Sequence, residues 1–457
     1  MVTTGSARAR DSAPAKPAPL SARLRFGYAS GSLVTGTFTT LPGLLLLPYL
    51  TDTLGVGAAL AGAIVFVPKA WDAVLNPLVG RASDRTRTRW GARRPYVLLG
   101  GLAMALAFAL TFAGPLPGSA GAWFTAAGYL LTATAFAFFQ VPYVAMPAEL
   151  ADRDEDRMRL VGGRVAVIGV AALVTGAAGP ALVDAGGGGL AGHRWVGAFG
   201  AVVIALGALW VFAGTARATG TARATAAARA DRVLESEPAL RRQFAAARGN
   251  ASFMALLRCV VVQSVATGVL LAGAPYFADH VLGDSAGVGA LVVAFVAPNL
   301  LTVPLWSRLR GRRGYVYASA LFATGCLLLL AAPLLPQAAV LLVMALAGTG
   351  HAGQLLFLYA MLPDCIARDA MRTERRRAGI LSGLFTTGEG LGVALGPFLY
   401  GVVLQLSGYV SSGTGRAAEQ TETAQLGMLA GFALLPALAT AIAVALLRGY
   451  GRPDPAP

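Results

Sequence analysis

The feature that most restricts what this chain can become is a succession of long apolar runs parted by short polar turns. Crossing a hydrocarbon core of roughly 30 Å takes about 20 helical residues, and in lipid each backbone N–H and C=O must find its partner inside the segment. The runs therefore read as transmembrane helices, at about 26–50, 57–80, 96–115, 121–148, 160–184 and 193–214 in the first half. In the second half they fall at about 251–278, 286–307, 314–334, 337–362, 378–407 and 424–447. With 56% hydrophobic and 13% charged residues and a mean hydropathy of +0.63, the chain needs lipid as its solvent.

A formal charge of +15 would suggest nucleic acid as the partner of a water-soluble protein, but its placement argues otherwise. Of the 37 Lys and Arg, all but Arg194, Arg416, Lys69 and Arg258 fall on the side shared by both termini. That is the positive-inside pattern, and it puts both termini in the cytoplasm of a cell with an inner or plasma membrane. The expected class is an all-α polytopic membrane protein with twelve transmembrane helices in two pseudo-symmetric six-helix bundles. Its expected parts are a disordered cytoplasmic tail (1–22), an N-terminal bundle (23–214), a cytoplasmic central loop (215–250), a C-terminal bundle (251–448) and a short cytoplasmic tail (449–457). The first tail shows no convincing cleavage site, so no signal peptide is expected. The Ala, Arg and Glu content of the central loop suits an amphipathic helix on the inner membrane face or a solvated linker. Cys259, Cys326 and Cys365 have neither disulfide-framework nor metal-ligand spacing.

The turns carry more than topogenic charge. Between the second and third spans, GRASDRTRTRWGARRPYVLLG packs Asp84 among Arg85, Arg93 and Arg94, so that acid and base can pair at helix ends and lock one conformation. RLRGRRG (308–314) looks like a truncated copy in the second half. PYVAMPAELADRDEDRMRLVGGR (142–164) and YAMLPDCIARDAMRTERRRAGILSG (359–383) each set acids, among them Glu149 and Asp364, before an arginine run. Together with KAWDAVLNPLVG in the second span, these loops resemble the glycoside-pentoside-hexuronide:cation symporter family of the major facilitator superfamily, over about residues 24–409. The resemblance implies the major facilitator fold and alternating access. It also implies a coupling-cation site on the second span and acids on the first and fourth spans that grip sugar hydroxyls.

A charged side chain at mid-membrane costs from about 2.5 to above 10 kcal/mol, so ionisable residues inside spans are functional candidates. Lys69 and Asp72 lie three apart, on one helix face and able to pair, with Asn76 one turn further on. By the resemblance, Asp72 matches the first of two acidic cation positions, Asn76 replaces the second, and Lys69 stands where the family usually has Arg. One carboxylate and an amide can ligate Na⁺, whereas a lone buried carboxylate beside Lys69 is better suited to reversible protonation. Proton is therefore favoured over sodium, no other metal is expected, and a permanent Lys69–Asp72 ion pair is the structural alternative. The sugar-gripping positions correspond to Val34 and Gln140, so a galactoside-like ligand loses one of its anchors. Tyr143, Phe138 and Phe139 are the other candidates on span four.

Glu389 on span eleven replaces a lysine of the family pattern and is expected to face the central cavity, paired with Arg164 or Arg258. His351, Gln354, Gln263 and Asn299 each stand alone on apolar helices, where an interhelical hydrogen bond is the ordinary use. Small-residue spacing such as Gly388, Gly392 and Gly396 suits close helix packing. No Walker A, HExxH or Gly-x-Ser-x-Gly pattern and no sizeable soluble segment points to an enzyme or an ATP-driven pump. The expected function is secondary transport by a monomer without cofactor: H⁺- or Na⁺-coupled symport of a glycoside or sugar-like solute. The alternatives are efflux of a hydrophobic metabolite or drug by proton antiport, and lysolipid transport.

Overall fold

A computed structural model describes residues 20–451 apart from 115, 117, 152, 217–247, 285–286, 310, 374–377 and 414–417, and among the described residues there is no strand. Eleven helices are long and apolar enough to cross a membrane. They are α1 (Ala22–Thr53), α2 (Ala58–Arg85), α3 (Arg94–Thr111), α4 (Gly118–Ala145), α5 (Glu155–Ala185), α6 (Gly189–Gly214) and α7 (Ala251–Leu282), then α9 (Gly311–Leu334), α10 (Gln337–Met371), α11 (Gly379–Leu406) and α12 (Glu422–Gly449). The eighth run differs from the expected 286–307. As α8 (Gly287–Leu301) it has 15 residues, about 22 Å of helix, followed by a short turn of helix at Val303–Trp306. Pro298 and Pro304 each remove a backbone donor and interrupt what would otherwise be one long span. Most of the central loop, read as either an amphipathic helix or a solvated linker, and most of both tails lie outside the described residues.

Side chains open several helices where the sequence supplies a cap. Ser21 accepts from Leu24 N at 3.2 Å before α1, Asn250 from Phe253 N at 2.8 Å before α7, and Thr421 from Ala424 N at 3.2 Å before α12. Asn250 also donates to the Cys365 carbonyl at 3.1 Å, tying α7 to α10.

Packing repeats between the two groups of six. In the first, α1 packs on α5 and α6, α2 on α4, and α3 on α4 and α6; in the second, α7 packs on α11 and α12, α8 on α10, and α9 on α10 and α12. The contacts between groups are reciprocal in the same sense, α2 against α11 and α5 against α8, with α1 against α7. This is the arrangement of a chain built from an internal repeat.

The two groups close on each other at the membrane face away from the termini. There a methyl group on Gly62 would meet the Phe398 backbone, and one on Gly401 would collide with the Ala58 carbonyl. Toward the face that carries the termini, Gly379, Gly383 and Gly390 on α11 have nothing in front of them within 4 Å. All three cysteines are fully buried.

Candidate functional site

Lys69 and Asp72 of α2 are half-buried and face α1 and α4. Lys69 turns away from its neighbour three residues on. Its Nζ lies 3.5 Å from the centroid of the Phe38 ring on α1 and 5.1 Å from that of Phe136 on α4, and these two rings pack together at 4.4 Å. The Lys69–Asp72 ion pair, the structural alternative, is absent among the described residues; a cation held by two ring faces is already compensated. Asp72 keeps Lys69 as its charged neighbour and Tyr129 close by, but its Oδ1 is buried with no hydrogen-bond partner. Asn76 is half-buried and makes no hydrogen bond among the described residues. No group of three or more His, Cys, Asp or Glu side chains that could hold a metal ion gathers among the described residues. A carboxylate whose neighbouring cation is held elsewhere can take up and give back a proton without dismantling a fixed pair.

Around it, α1 and α4 are stitched by polar contacts. Thr35 Oγ1 donates to Gln140 Oε1 at 2.8 Å. Tyr143 was expected to line the cavity, but it is fully buried, stacked on Tyr28 at 4.8 Å, with its hydroxyl donating to the Tyr28 carbonyl at 2.8 Å and 3.0 Å from Ser32 Oγ. Val34 is buried against α6, where it faces Gly207. Phe139 is buried on Tyr143, whereas Phe138 faces outward and stacks on Tyr96 of α3.

A second cluster joins the two groups. The Arg164 guanidinium lies 5.6 Å from the Tyr143 ring centroid, has a buried Nε without a hydrogen-bond partner, and acts electrostatically on Tyr28, Tyr143 and Tyr359. Tyr359 of α10 donates to Glu389 Oε2 of α11 at 2.6 Å. Glu389 therefore meets a tyrosine where Arg164 or Arg258 was expected, because Tyr359 stands on the adjacent helix of the same group. Arg258 is exposed and has no carboxylate partner among the described residues. His351 is buried away from this cluster, between Phe295 at 5.1 Å and Phe322 at 6.1 Å.

Gln263 and Gln354 are not isolated. Their amides exchange two hydrogen bonds, at 2.9 and 3.1 Å, joined by Tyr315 and Ser319 of α9. Asn299 Oδ1 is buried without a partner.

At the face with the termini, Arg93 at the start of α3 bridges Asp84 at the end of α2 (3.3 Å) and Glu149 beyond α4 (3.0 Å). Arg94 does not join this lock. Its Nη2 donates to the Phe212 carbonyl at 2.5 Å near the end of α6, where cations are favoured. Arg85 is exposed, and so is Asp364, which lies within electrostatic reach of Tyr450. The arginine run 375–377 lies outside the described residues.

At the opposite face is a cluster that the motif reading missed. PYLTD (48–52) closes α1 and PYFAD (275–279) closes α7, and both segments widen into a π turn. Asp52 accepts a short hydrogen bond from Tyr409 of the α11–α12 turn, Ser412 donates to the Asp52 carbonyl at 2.8 Å, and Ser411 to the Val56 carbonyl at 2.8 Å. Thr51 and Tyr276 meet hydroxyl to hydroxyl at 2.7 Å. Gly55 and Gly413, both at positive φ, let the two turns touch. The repeated Pro-Tyr-x-x-Asp at equivalent places in the two halves was the legible signal.

A family model described as MFS/sugar transport protein matches residues 27–451. The chain is similar to the glucuronide carrier protein homolog of Escherichia coli K12, 23% identical over 431 residues that cover 91% of this chain and 90% of that one. It is also similar to the putative glycoside/cation symporter YagG of the same organism, 31% identical over 182 residues, 39% of each chain. Among solved structures, a D-xylose–proton symporter superposes with a TM-score of 0.66 over 94% of this chain and 98% of that one at 13% identity. An inward-facing, occupied bacterial Spinster homologue superposes at 0.64 over 93% of each at 15% identity. With the helix order, the reciprocal packing and the loop motifs, these matches place the chain as a multi-pass membrane protein and not an enzyme: it belongs to the MFS/sugar transport protein family, among the glycoside-pentoside-hexuronide:cation symporters of the major facilitator superfamily.

Proposed function

We propose that this transporter imports a glycoside or similar polar organic solute across the plasma membrane in symport with a proton, working as a monomer with both termini in the cytoplasm. The observation that carries the coupling is Asp72, whose Oδ1 is buried and unpartnered while its cationic neighbour Lys69 is held by Phe38 and Phe136. Asp72 takes a proton from the open side, and the protonated, uncharged carboxyl carries it across with the solute as the two groups of helices rock. Gln140, Arg164, Glu389 and Tyr359 supply the hydrogen-bonding and charged groups that a polar solute needs. Relatives named as a glucuronide carrier and a glycoside/cation symporter support cargo of this class.

Efflux of a hydrophobic metabolite is the second reading. It is favoured by Val34 and Tyr143, both fully buried, and by Gln140, whose carbonyl oxygen is already taken by Thr35.

Proteoliposomes challenged with a panel of sugars and glycosides under imposed pH or Na⁺ gradients decide between them. Proton-driven accumulation that vanishes in Asp72→Asn supports symport. Accumulation driven by Na⁺ alone would reassign the ion, and no accumulation of any sugar under either gradient would overturn import.

A further inference from the structure

The geometry points to an anionic phospholipid seated between α3 and α4, with one acyl chain in an outward groove and its phosphate on the arginines of the α2–α3 turn. Two faces of α3 are already occupied. Gly100 lies against the backbone of Phe138 and Phe139, and Gly101 against Ala208 of α6. The third face carries Tyr96, Leu99, Ala103, Leu106 and Leu110, spaced as one helical stripe, and Leu99 and Leu106 are more than 60% exposed. Across from it, Leu131, Ala135 and Phe138 of α4 form the other wall of a groove of about 560 Å³. Small residues make its floor and large ones its rims: Gly100, Ala103, Ala107 and Ala135 lie between the leucines and Phe138. From Tyr96 to Leu110 it runs about 21 Å along the helix axis, longer than one leaflet of about 15 Å.

The chemistry of the mouth selects the occupant. The Tyr96 hydroxyl meets Thr86 Oγ1 at 2.8 Å, and Phe138 stacks on the Tyr96 ring, so the groove opens directly under the α2–α3 turn. That turn exposes Arg85, Arg87 and Arg89, none of which has a carboxylate partner among the described residues, because Asp84 and Glu149 are both engaged by Arg93. Guanidinium groups without a carboxylate partner at the end of an apolar groove, Arg89 among them lying 5.1 Å from the Trp90 ring centroid, fit a phosphodiester whose headgroup adds no positive charge. A zwitterionic headgroup would set its own cation among them. Trp71 of α2 flanks the site and donates to Thr134 Oγ1 of the same wall at 3.2 Å.

Native mass spectrometry of the purified full chain, offered phosphatidylglycerol or phosphatidylcholine with identical acyl chains, tests this. Two arginines predict roughly a thirtyfold preference for phosphatidylglycerol. Arg87→Gln with Arg89→Gln, which leaves Arg85 in place, should remove most of the preference, and Ala103→Phe should reduce binding of both lipids. Equal binding of the two lipids by the unmodified chain would overturn the proposal, as would phosphatidylglycerol binding unchanged in the double arginine variant. Melting curves of each variant establish that it is folded, and Ala103→Leu replaces Ala103→Phe if the larger side chain unfolds the protein.

Discussion

The ammonium of Lys69 lies over the ring of Phe38, 3.5 Å from its centroid, with Phe136 behind it. A desolvated cation–π contact of this kind stabilises by about 2 kcal/mol, enough to keep the ammonium from closing on Asp72 one turn away. Phe38→Leu removes the ring and releases the ammonium to pair with the carboxylate, a redistribution of roughly thirtyfold. Gradient-driven uptake should then fall while solute exchange at equal concentrations continues. Both are read in the same proteoliposomes, and uptake equal to that of the unmodified protein would contradict the role of the ring.

Tyr409 and Asp52 join the two groups of helices at the face away from the termini. A buried polar group left without its partner costs about 1–3 kcal/mol, so Tyr409→Phe should raise the population open at that face by about fivefold or more. Distance distributions between spin labels placed across the α1–α2 and α11–α12 turns report it directly.

Glu149 lies outside the spans, and its pKa is raised: burial lifts it, the attraction of Arg93 lowers it less, and repulsion from Asp84 adds to the rise. Between the ordinary glutamate value and the raised one, the folded protein holds more proton than the unfolded chain, so stability falls as pH climbs through that window. Glu149→Gln should flatten this slope in melting curves recorded across roughly pH 4 to 7, with no loss of stability at the upper end.

Gly396 of α11 sits against the backbone of Gly268 on α7, so close that a methyl group there would strike the Gly268 carbonyl carbon. Gly396→Val should cost roughly 1–3 kcal/mol through overpacking and lower the melting temperature in detergent, whereas Gly383→Val, which faces open space, should leave it unchanged.

Hydropathy alone located nearly every helix, because a segment in lipid must satisfy its own backbone and therefore advertises its length. The eighth was overestimated for a local reason: Pro298 and Pro304 divide an apolar run that looks continuous by composition. The loop pairing of Asp84 and Glu149 was legible as acid near Arg, but its centre, Arg93, and the exclusion of Arg94 depend on how α3 abuts α6. Facing was the harder quantity. Lys69 and Asp72 share a helix face by spacing, yet the direction of a long flexible side chain is decided by rings on α1 and α4, far away in sequence. Tyr143 went into the interface of α1 and α4 because Ser32 and the Tyr28 carbonyl wait there, and no pattern within α4 reveals that. Gln263 and Gln354 each looked solitary, since a partner on another helix is invisible to a reading one span at a time.

Cys259, Cys326 and Cys365 lie within the packing of the second group of helices, Cys259 donating to the Tyr315 hydroxyl at 3.3 Å. Rocking one group against the other does not unpack either of them. A thiol-reactive dye therefore finds no natural target, and the unmodified chain already serves as a silent background for single introduced cysteines.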